Sequence, residues 1–323
     1  HRIHAYSVDK LSNVELTYGP LTKQWNYTFQ PIVTHCWITQ SAYAKHYKKM
    51  VFGSSPTVAN LFDEIIGKEI VCGSDEVNNE YPELNYTKDG GIWRCWSNNG
   101  SIIWARATET DEARSSPAIC DINNDDIPEI ATGTTSGWNV EVMRYNGSFL
   151  WTFPAYRFKN GPFCWHSSPA VVDVIDGENL EGKELIIGNN PYNSIWCFDG
   201  DNFDGIDDGI TLPRDSDGSS PYFPWKHGDL GTEGIDWDVL WVFNTSGSVI
   251  ASPAVEDVDE DGYKEVVIGS LDGNIYCLNA TNGQQKWQYS TNASVYSSAA
   301  LANLDNDSQL EIVVGSNDSN LYC

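Results

Sequence analysis

A Ser-Pro step followed by a short apolar run recurs along this chain, and it constrains the fold more than any other feature. The copies are Ser55-Pro56-Thr57-Val58, Ser116-Pro117-Ala118-Ile119, Ser168-Pro169-Ala170-Val171 and Ser252-Pro253-Ala254-Val255. A fifth, Ser298-Ala299-Ala300-Leu301, lacks the proline. Each leads to an acid–apolar–apolar–x–Gly signature, at Glu69–Gly73, Glu129–Gly133, Glu184–Gly188, Glu265–Gly269 and Glu311–Gly315. From Ser to Gly the intervals are 18, 17, 20, 17 and 17 residues, a register that unrelated segments would not keep.

Two further elements follow in phase. The third is Arg94-Cys95-Trp96, Val142-Met143-Arg144, Trp196-Cys197-Phe198, Tyr276-Cys277-Leu278 and Tyr322-Cys323. The fourth carries Trp104, Trp151, Trp241 or Trp287. Short β-rich runs parted by Gly, Asn and Asp turns read as four antiparallel strands per repeat. No repeat holds ten residues with a 3.6 period, so helical solenoids are excluded. The expected fold is all-β: a propeller of five four-stranded antiparallel blades.

The repeats span about 51–110, 111–160, 161–245, 246–292 and 293–323, with an acidic insertion at 199–238. The last repeat stops after its third strand. Residues 1–50 form an N-terminal segment, whose stretch 21–28 (Leu21-Thr22-Lys23-Gln24-Trp25-Asn26-Tyr27-Thr28) resembles Gln284–Tyr289. It is expected to pair with the C-terminal blade and close the ring, which removes exposed sheet edges. Ile3-His4-Ala5-Tyr6-Ser7 also resembles a third strand and is surplus to a closed five-blade ring. It could cap the ring, pair with an identical subunit by strand exchange, or belong to a larger propeller.

The loops between first and second strands carry the chemistry. In repeat four the loop is Asp257-Val258-Asp259-Glu260-Asp261-Gly262-Tyr263-Lys264-Glu265. Calcium takes six to eight oxygens, and acids at alternate positions of a tight loop converge on one point. Asp257, Asp259 and Asp261 supply positions 1, 3 and 5, the Tyr263 carbonyl position 7 and Glu265 position 9. Repeat two offers Asp121, Asn123, Asp125, Ile127 and Glu129; repeat five offers Asn303, Asp305, Asp307, Gln309 and Glu311. Repeat four is expected to bind best, because the other two lack the turn glycine. An acidic turn capped by its own side chains gives a similar pattern. Loops one and three place Phe62 and Ile175 at position 3, and are expected to bind weakly or not at all.

The string Ser252-Pro253-Ala254-Val255-Glu256-Asp257-Val258-Asp259-Glu260-Asp261-Gly262, then Glu265–Ser270, then Gly273–Tyr276, resembles FG-GAP repeats and the related PQQ-like propeller repeats. FG-GAP repeats build the propeller of integrin α chains and of many microbial surface proteins. The resemblance covers about residues 51–323. It implies calcium in the loops just described and functions in adhesion, ligand binding or sometimes catalysis. Family members usually have six to eight blades, so five is a departure.

Charge narrows the partners. Nineteen Lys and Arg against 45 Asp and Glu give −26, which repels nucleic acid and anionic membranes; bound divalent cations are the expected relief, against a plain acidic surface that keeps the protein soluble or an adaptation to high salt. No apolar run is long enough to cross a membrane. The chain begins His1-Arg2-Ile3 and reads as a processed or trimmed product. Sequons at Asn26, Asn85, Asn99, Asn146, Asn244, Asn279, Asn292, Asn306 and Asn317 point to a glycosylated, exported protein. The insertion could hold a further metal at Asp199, Asp201 and Asp204, or bind a partner. Cys95, Cys197, Cys277 and Cys323 share one repeat position and are expected as unpaired core residues; Cys36, Cys72, Cys120 and Cys164 are freer to form bridges.

No Gly-x-Ser-x-Gly, His-Glu-x-x-His, phosphate-loop or dinucleotide motif appears, and a carboxylate pair for glycoside chemistry cannot be singled out among 45 acids. The expectation is therefore a secreted or cell-surface calcium-binding module, non-catalytic, that binds an extracellular protein or glycan or assembles with itself. The alternative is a propeller enzyme acting on extracellular polysaccharide, with 199–238 lining its site. A quinone-dependent dehydrogenase ranks last, since no adjacent cysteines occur.

Overall fold

The computed structural model describes residues 13–14, 27–28, 54–76, 90–107, 113–134, 139–154, 166–174, 182–190, 192–200, 239–305 and 307–323. These contain strands and turns and no helix. The chain divides into two units, residues 1–39 and 40–323. In the first, β1 (Asn13–Val14) pairs antiparallel with β2 (Tyr27–Thr28).

The second unit holds the repeats. Blade one is β3 (Thr57–Ala59), β4 (Glu69–Glu76), β5 (Gly90–Trp96) and β6 (Ile102–Ala107). Blade two is β7 (Ala118–Cys120), β8 (Glu129–Gly133), β9 (Asn139–Arg144) and β10 (Phe149–Pro154). Blade three is β11 (Ala170–Val172), β12 (Glu184–Asn189), β13 (Ser194–Phe198) and β14 (Val239–Asn244). Blade four is β15 (Ala254–Glu256), β16 (Glu265–Gly269), β17 (Asn274–Asn279) and β18 (Gln285–Ser290). The fifth sheet has three strands, β19 (Ala300–Ala302), β20 (Glu311–Gly315) and β21 (Leu321–Tyr322). Strand order in every sheet follows the sequence, and all pairings are antiparallel. The described partner of Tyr27–Thr28 is Asn13–Val14, rather than a strand of the fifth sheet.

The signatures now acquire physical causes. The first strands meet in succession, β3 with β7, β7 with β11, β11 with β15 and β15 with β19. A serine belt runs along them. Ser55 N–H donates to Ser116 Oγ at 2.8 Å, Ser116 N–H to Ser168 Oγ at 2.8 Å, Ser168 N–H to Ser252 Oγ at 2.9 Å, and Ser252 N–H to Ser298 Oγ at 3.0 Å. The serine of each Ser-Pro step therefore ties one blade to the next. The preceding serine works within its blade: Ser54, Ser167 and Ser297 hydroxyls accept from Gly73, Gly188 and Gly315 N–H at 3.0, 2.9 and 2.9 Å.

The signature glycine is required by close approach. A Cβ on Gly73 would lie 2.2 Å from the Ala113 carbonyl oxygen, and one on Gly269 would lie 2.3 Å from Val295 Cγ1. The chain entering the next blade crosses there and bonds the residue after the glycine, with Val249 N–H on Asn189 O and Val295 N–H on Ser270 O, both at 3.0 Å.

The fourth-strand tryptophans clip neighbouring blades at the other end of the sheets. Trp104 Nε1–H donates to Tyr145 O at 2.9 Å, Trp151 to Gly200 O at 2.9 Å and Trp241 to Ala280 O at 2.7 Å. Each acceptor lies in the turn after the third strand of the following blade. Apolar faces pack between adjacent sheets, as where Val140 and Trp151 of blade two join Leu185, Ile187, Trp196 and Phe198 of blade three.

Cys95, Cys197 and Cys277 are buried free thiols, as their shared position implies, and burial raises Cys95 and Cys277 to about 12. Cys323 departs from that expectation: it is exposed, because it follows the edge strand of a three-stranded sheet. Cys72 and Cys120, expected as freer to bridge, also carry free thiols. Cys36 and Cys164 lie outside the described residues.

Candidate metal centres

Each loop is fixed by its second-strand glutamate. One oxygen, Oε2, accepts the backbone N–H of loop position 2 in all five repeats. Glu69 takes Leu61 at 2.8 Å, Glu129 takes Ile122 at 3.0 Å and Glu184 takes Val174 at 2.6 Å. Glu265 takes Val258 at 3.0 Å and Glu311 takes Leu304 at 2.5 Å. Glu69, Glu129, Glu184 and Glu265 are buried. The glutamate thus anchors the loop whether or not the loop is acidic, a role that sequence reasoning missed. The signal was present, since repeats one and three keep the glutamate while losing the alternating acids.

In three repeats the same glutamate also belongs to a cluster of acids. Asp121, Asp125 and Glu129 form one carboxylate group, Asp257, Asp259 and Glu265 a second, and Asp305, Asp307 and Glu311 a third. Within each, the oxygens lie no more than 4.8 Å apart, a spacing one divalent ion can span. Among the described residues the groups occur in repeats two, four and five, at equivalent places in three sheets. Asp257 Oδ1 is a buried oxygen without a hydrogen-bond partner.

The loop backbone is shaped by the same acids. Asp121 accepts from Asp125 and Asp126 N–H, at 3.0 and 2.9 Å, and Asp257 accepts from Gly262 N–H at 3.0 Å. The position-5 carboxylates accept from position 7: Asp125 from Ile127 N–H at 2.8 Å, Asp261 from Tyr263 at 2.9 Å, and Asp307 from Gln309 at 2.8 Å. At position 7 the described contact is through N–H. Asn123 Oδ1 turns to Asp125 N–H, and the Asn303 amide donates to Asp307 O. Position 6 takes the left-handed conformation in both repeat four, at Gly262 with φ 87°, and repeat two, at Asp126 with φ 66°. Repeat two therefore makes the turn without glycine, since Asp tolerates this region better than most residues.

Crowded carboxylates perturb one another. Burial, with help from Asp125 and Asp121, raises Glu129 to about 7 against the bond from Ile122. In repeat four a cation is already present. Lys286 Nζ lies 2.8 Å from Asp259, 2.6 Å from Asp261 and 2.7 Å from Glu265. Burial alone would lower its pKa, but the bonds to the three carboxylates outweigh that and raise it. Asp261 is lowered in turn, first by its bond with Lys286. This ammonium sits in the loop that sequence alone ranks first for a metal.

Loop one holds Asn60 bonded to Asp63 at 3.0 Å, and its described residues form no group of three such ligands. Asp199 is buried at the end of β13, whereas Asp201 and Asp204, with the rest of the insertion to residue 238, lie outside the described residues.

Fold and loops together define an all-β repeat protein of the β-propeller type, with acidic loops after the first strands. Residues 228–323 match the family model of the lambda-carrageenase β-propeller domain. Among solved structures, the chain is similar to the V. cholerae biofilm matrix protein, at 21% identity and TM-score 0.50, covering 85% of this chain and 36% of that one. It is also similar to rhamnogalacturonan lyase YesW, at 14% identity and TM-score 0.50, covering 85% of this chain and 48% of that one. The chain thus spans between about a third and a half of those proteins' length, and at such identities the likeness is one of fold. No curated protein matches the chain. The sheets are those of a β-propeller, and the likeness to FG-GAP repeats is one of repeat sequence.

Proposed function

We propose that this chain is an extracellular calcium-binding β-propeller that acts as a polysaccharide-facing binding or structural module. The observation that carries the reading is the placement of three carboxylate groups, each within 4.8 Å, at equivalent loops of three sheets. A surface with net charge −26 repels acidic glycans, and calcium held at such loops cancels most of their local charge and can offer an acidic sugar an open coordination position. The match of 228–323 to a carrageenase propeller domain, and the fold shared with a biofilm matrix protein, support polysaccharide as the class of partner. Export, glycosylation at the sequons and assembly with identical subunits belong to the same proposal.

The test is retention on immobilised acidic polysaccharide with calcium and with chelator. Binding in calcium that chelator abolishes supports the reading. Equal retention in both, with no calcium bound in equilibrium dialysis, refutes it.

Closure of a five-blade ring is part of this proposal.

The carrageenase match also favours a second reading, a polysaccharide-cleaving enzyme. Release of new reducing ends or unsaturated sugars from acidic glycans, lost on deleting 201–238, would establish it over the binding module.

A further inference from the structure

The fourth strand of every complete blade carries a bulge at one register. Cys95 pairs with Trp104 while Trp96 pairs with Ile102, so Ile103 is the extra residue. By the same pairing Leu150 is extra in blade two, Leu240 in blade three and Lys286 in blade four. A bulge re-aims the side chain it frees. In the first three blades that side chain is apolar and packs against the core clusters. In blade four it is a lysine, and its ammonium contacts Asp259, Asp261 and Glu265 at 2.6–2.8 Å.

We propose that Lys286 is a built-in counter-cation that occupies the acidic loop of blade four and makes that blade independent of metal, leaving divalent ions to the loops of blades two and five. The position is a product of the fold, because the bulge exists in blades with no lysine. Its charge matches the need, because three carboxylates converge on it. An ammonium is tethered to the chain and stays at any calcium concentration, whereas an ion in blade two or five comes and goes with its free concentration. The loop that looks most like a calcium site in sequence is thereby the one already neutralised. The clause about blades two and five rests on the proposed calcium reading; the clause about Lys286 does not.

Calcium bound per chain is counted by equilibrium dialysis on wild type, Lys286→Leu, Lys286→Leu with Asp259→Asn, and Asp259→Asn alone. Leucine restores the residue found at this bulge in blades two and three. The expected result is one more ion in Lys286→Leu than in wild type, lost again when Asp259 is also replaced, with Asp259→Asn alone matching wild type. In chelator Lys286→Leu melts below wild type, and calcium closes the gap. An unchanged count in Lys286→Leu overturns the proposal. So does loss of an ion in Asp259→Asn alone, an arm that does not depend on the lysine variant folding. The wild-type count judges blades two and five separately: zero ions in wild type and one in Lys286→Leu would sink the calcium reading and keep this one.

Discussion

Replacing Glu129 with glutamine should stabilise the protein in chelator and destabilise it in calcium. In the metal-free protein above pH 7, Glu129 is ionised beside Asp121 and Asp125, with oxygens no more than 4.8 Å apart. At that distance each like-charge pair costs about 1 kcal/mol at the dielectric of water and about 3.5 kcal/mol at an effective value of about 20. Asp125 is exposed and Asp121 half-buried, so the lower figure applies. Removing two such pairs returns about 2 kcal/mol. Glutamine keeps an acceptor for Ile122 N–H but gives up a charge-assisted bond, a loss of about 1 kcal/mol. The net expectation in chelator is a gain of about 1 kcal/mol. In calcium at about a hundredfold over its dissociation constant, wild type gains about 2.7 kcal/mol per site. The variant forfeits most of that and ends about 1–2 kcal/mol below wild type. Urea midpoints in the two solutions read the inversion directly. The same order of stability in both solutions would refute the idea that this carboxylate serves a metal.

Further outcomes follow from the same contacts. Gly269→Ala should cost about 1–3 kcal/mol through overpacking, and Val295→Ala should rescue part of it because the clashing atom is Val295 Cγ1. Gly73→Ala meets the Ala113 backbone oxygen and should have no such rescue; urea midpoints of singles and doubles test both. Trp241→Phe leaves the Ala280 carbonyl without its donor and should cost about 1–2 kcal/mol, whereas Trp287→Phe, at a partly exposed site, should cost less than about 0.5 kcal/mol. The pH dependence has a defined sign. Glu129 binds its proton more tightly folded than unfolded, so in chelator its contribution to stability is fully present below 4.5 and is lost as pH rises through about 7. Calcium must displace that proton, so blade-two affinity should fall as pH drops below about 7, and the difference between wild type and Glu129→Gln isolates the effect.

The blade pattern was legible because each repeat element answers one local demand. The Ser-Pro serine hydroxyl answers a backbone N–H of the preceding blade, the signature glycine a crossing chain, and the tryptophan a turn. These are fixed by geometry, recur at fixed spacing, and so can be counted in sequence. The acids at positions 1, 3 and 5 were legible for the same reason. What sequence hid was long-range. Lys286 is 21 residues from Glu265, and nothing in its neighbours Gln285 and Trp287 announces that a bulge turns it toward the loop. The double duty of the glutamate was hidden differently. One carboxylate has two oxygens, and a spacing argument assigns the residue to one role while the fold uses both.

That division of labour explains how such loops can differ while the blades stay alike. Adjacent sheets are joined on one side by the serine belt and the glycine crossing, and on the other by the tryptophan clips. None of these contacts passes through loop positions 3, 5 or 7. The link to the sheet that all five loops share is the bond from position 2 to the glutamate, and it survives in repeats one and three, where Phe62 stands at position 3 of the first. Loop chemistry can therefore change from apolar, to metal-ready, to lysine-filled without altering blade packing. Substitutions at Asp305 or Asp307 should leave the serine belt and the metal-free stability nearly unchanged, within about 0.5 kcal/mol for such surface positions. Glu311→Ala should lower stability in calcium and chelator alike, because alanine loses the Oε2 bond to Leu304 N–H that holds the loop in either case. If Asp305→Asn and Glu311→Ala instead cost the same in chelator, the loop and its anchor are one unit, and the separation of binding from scaffold fails.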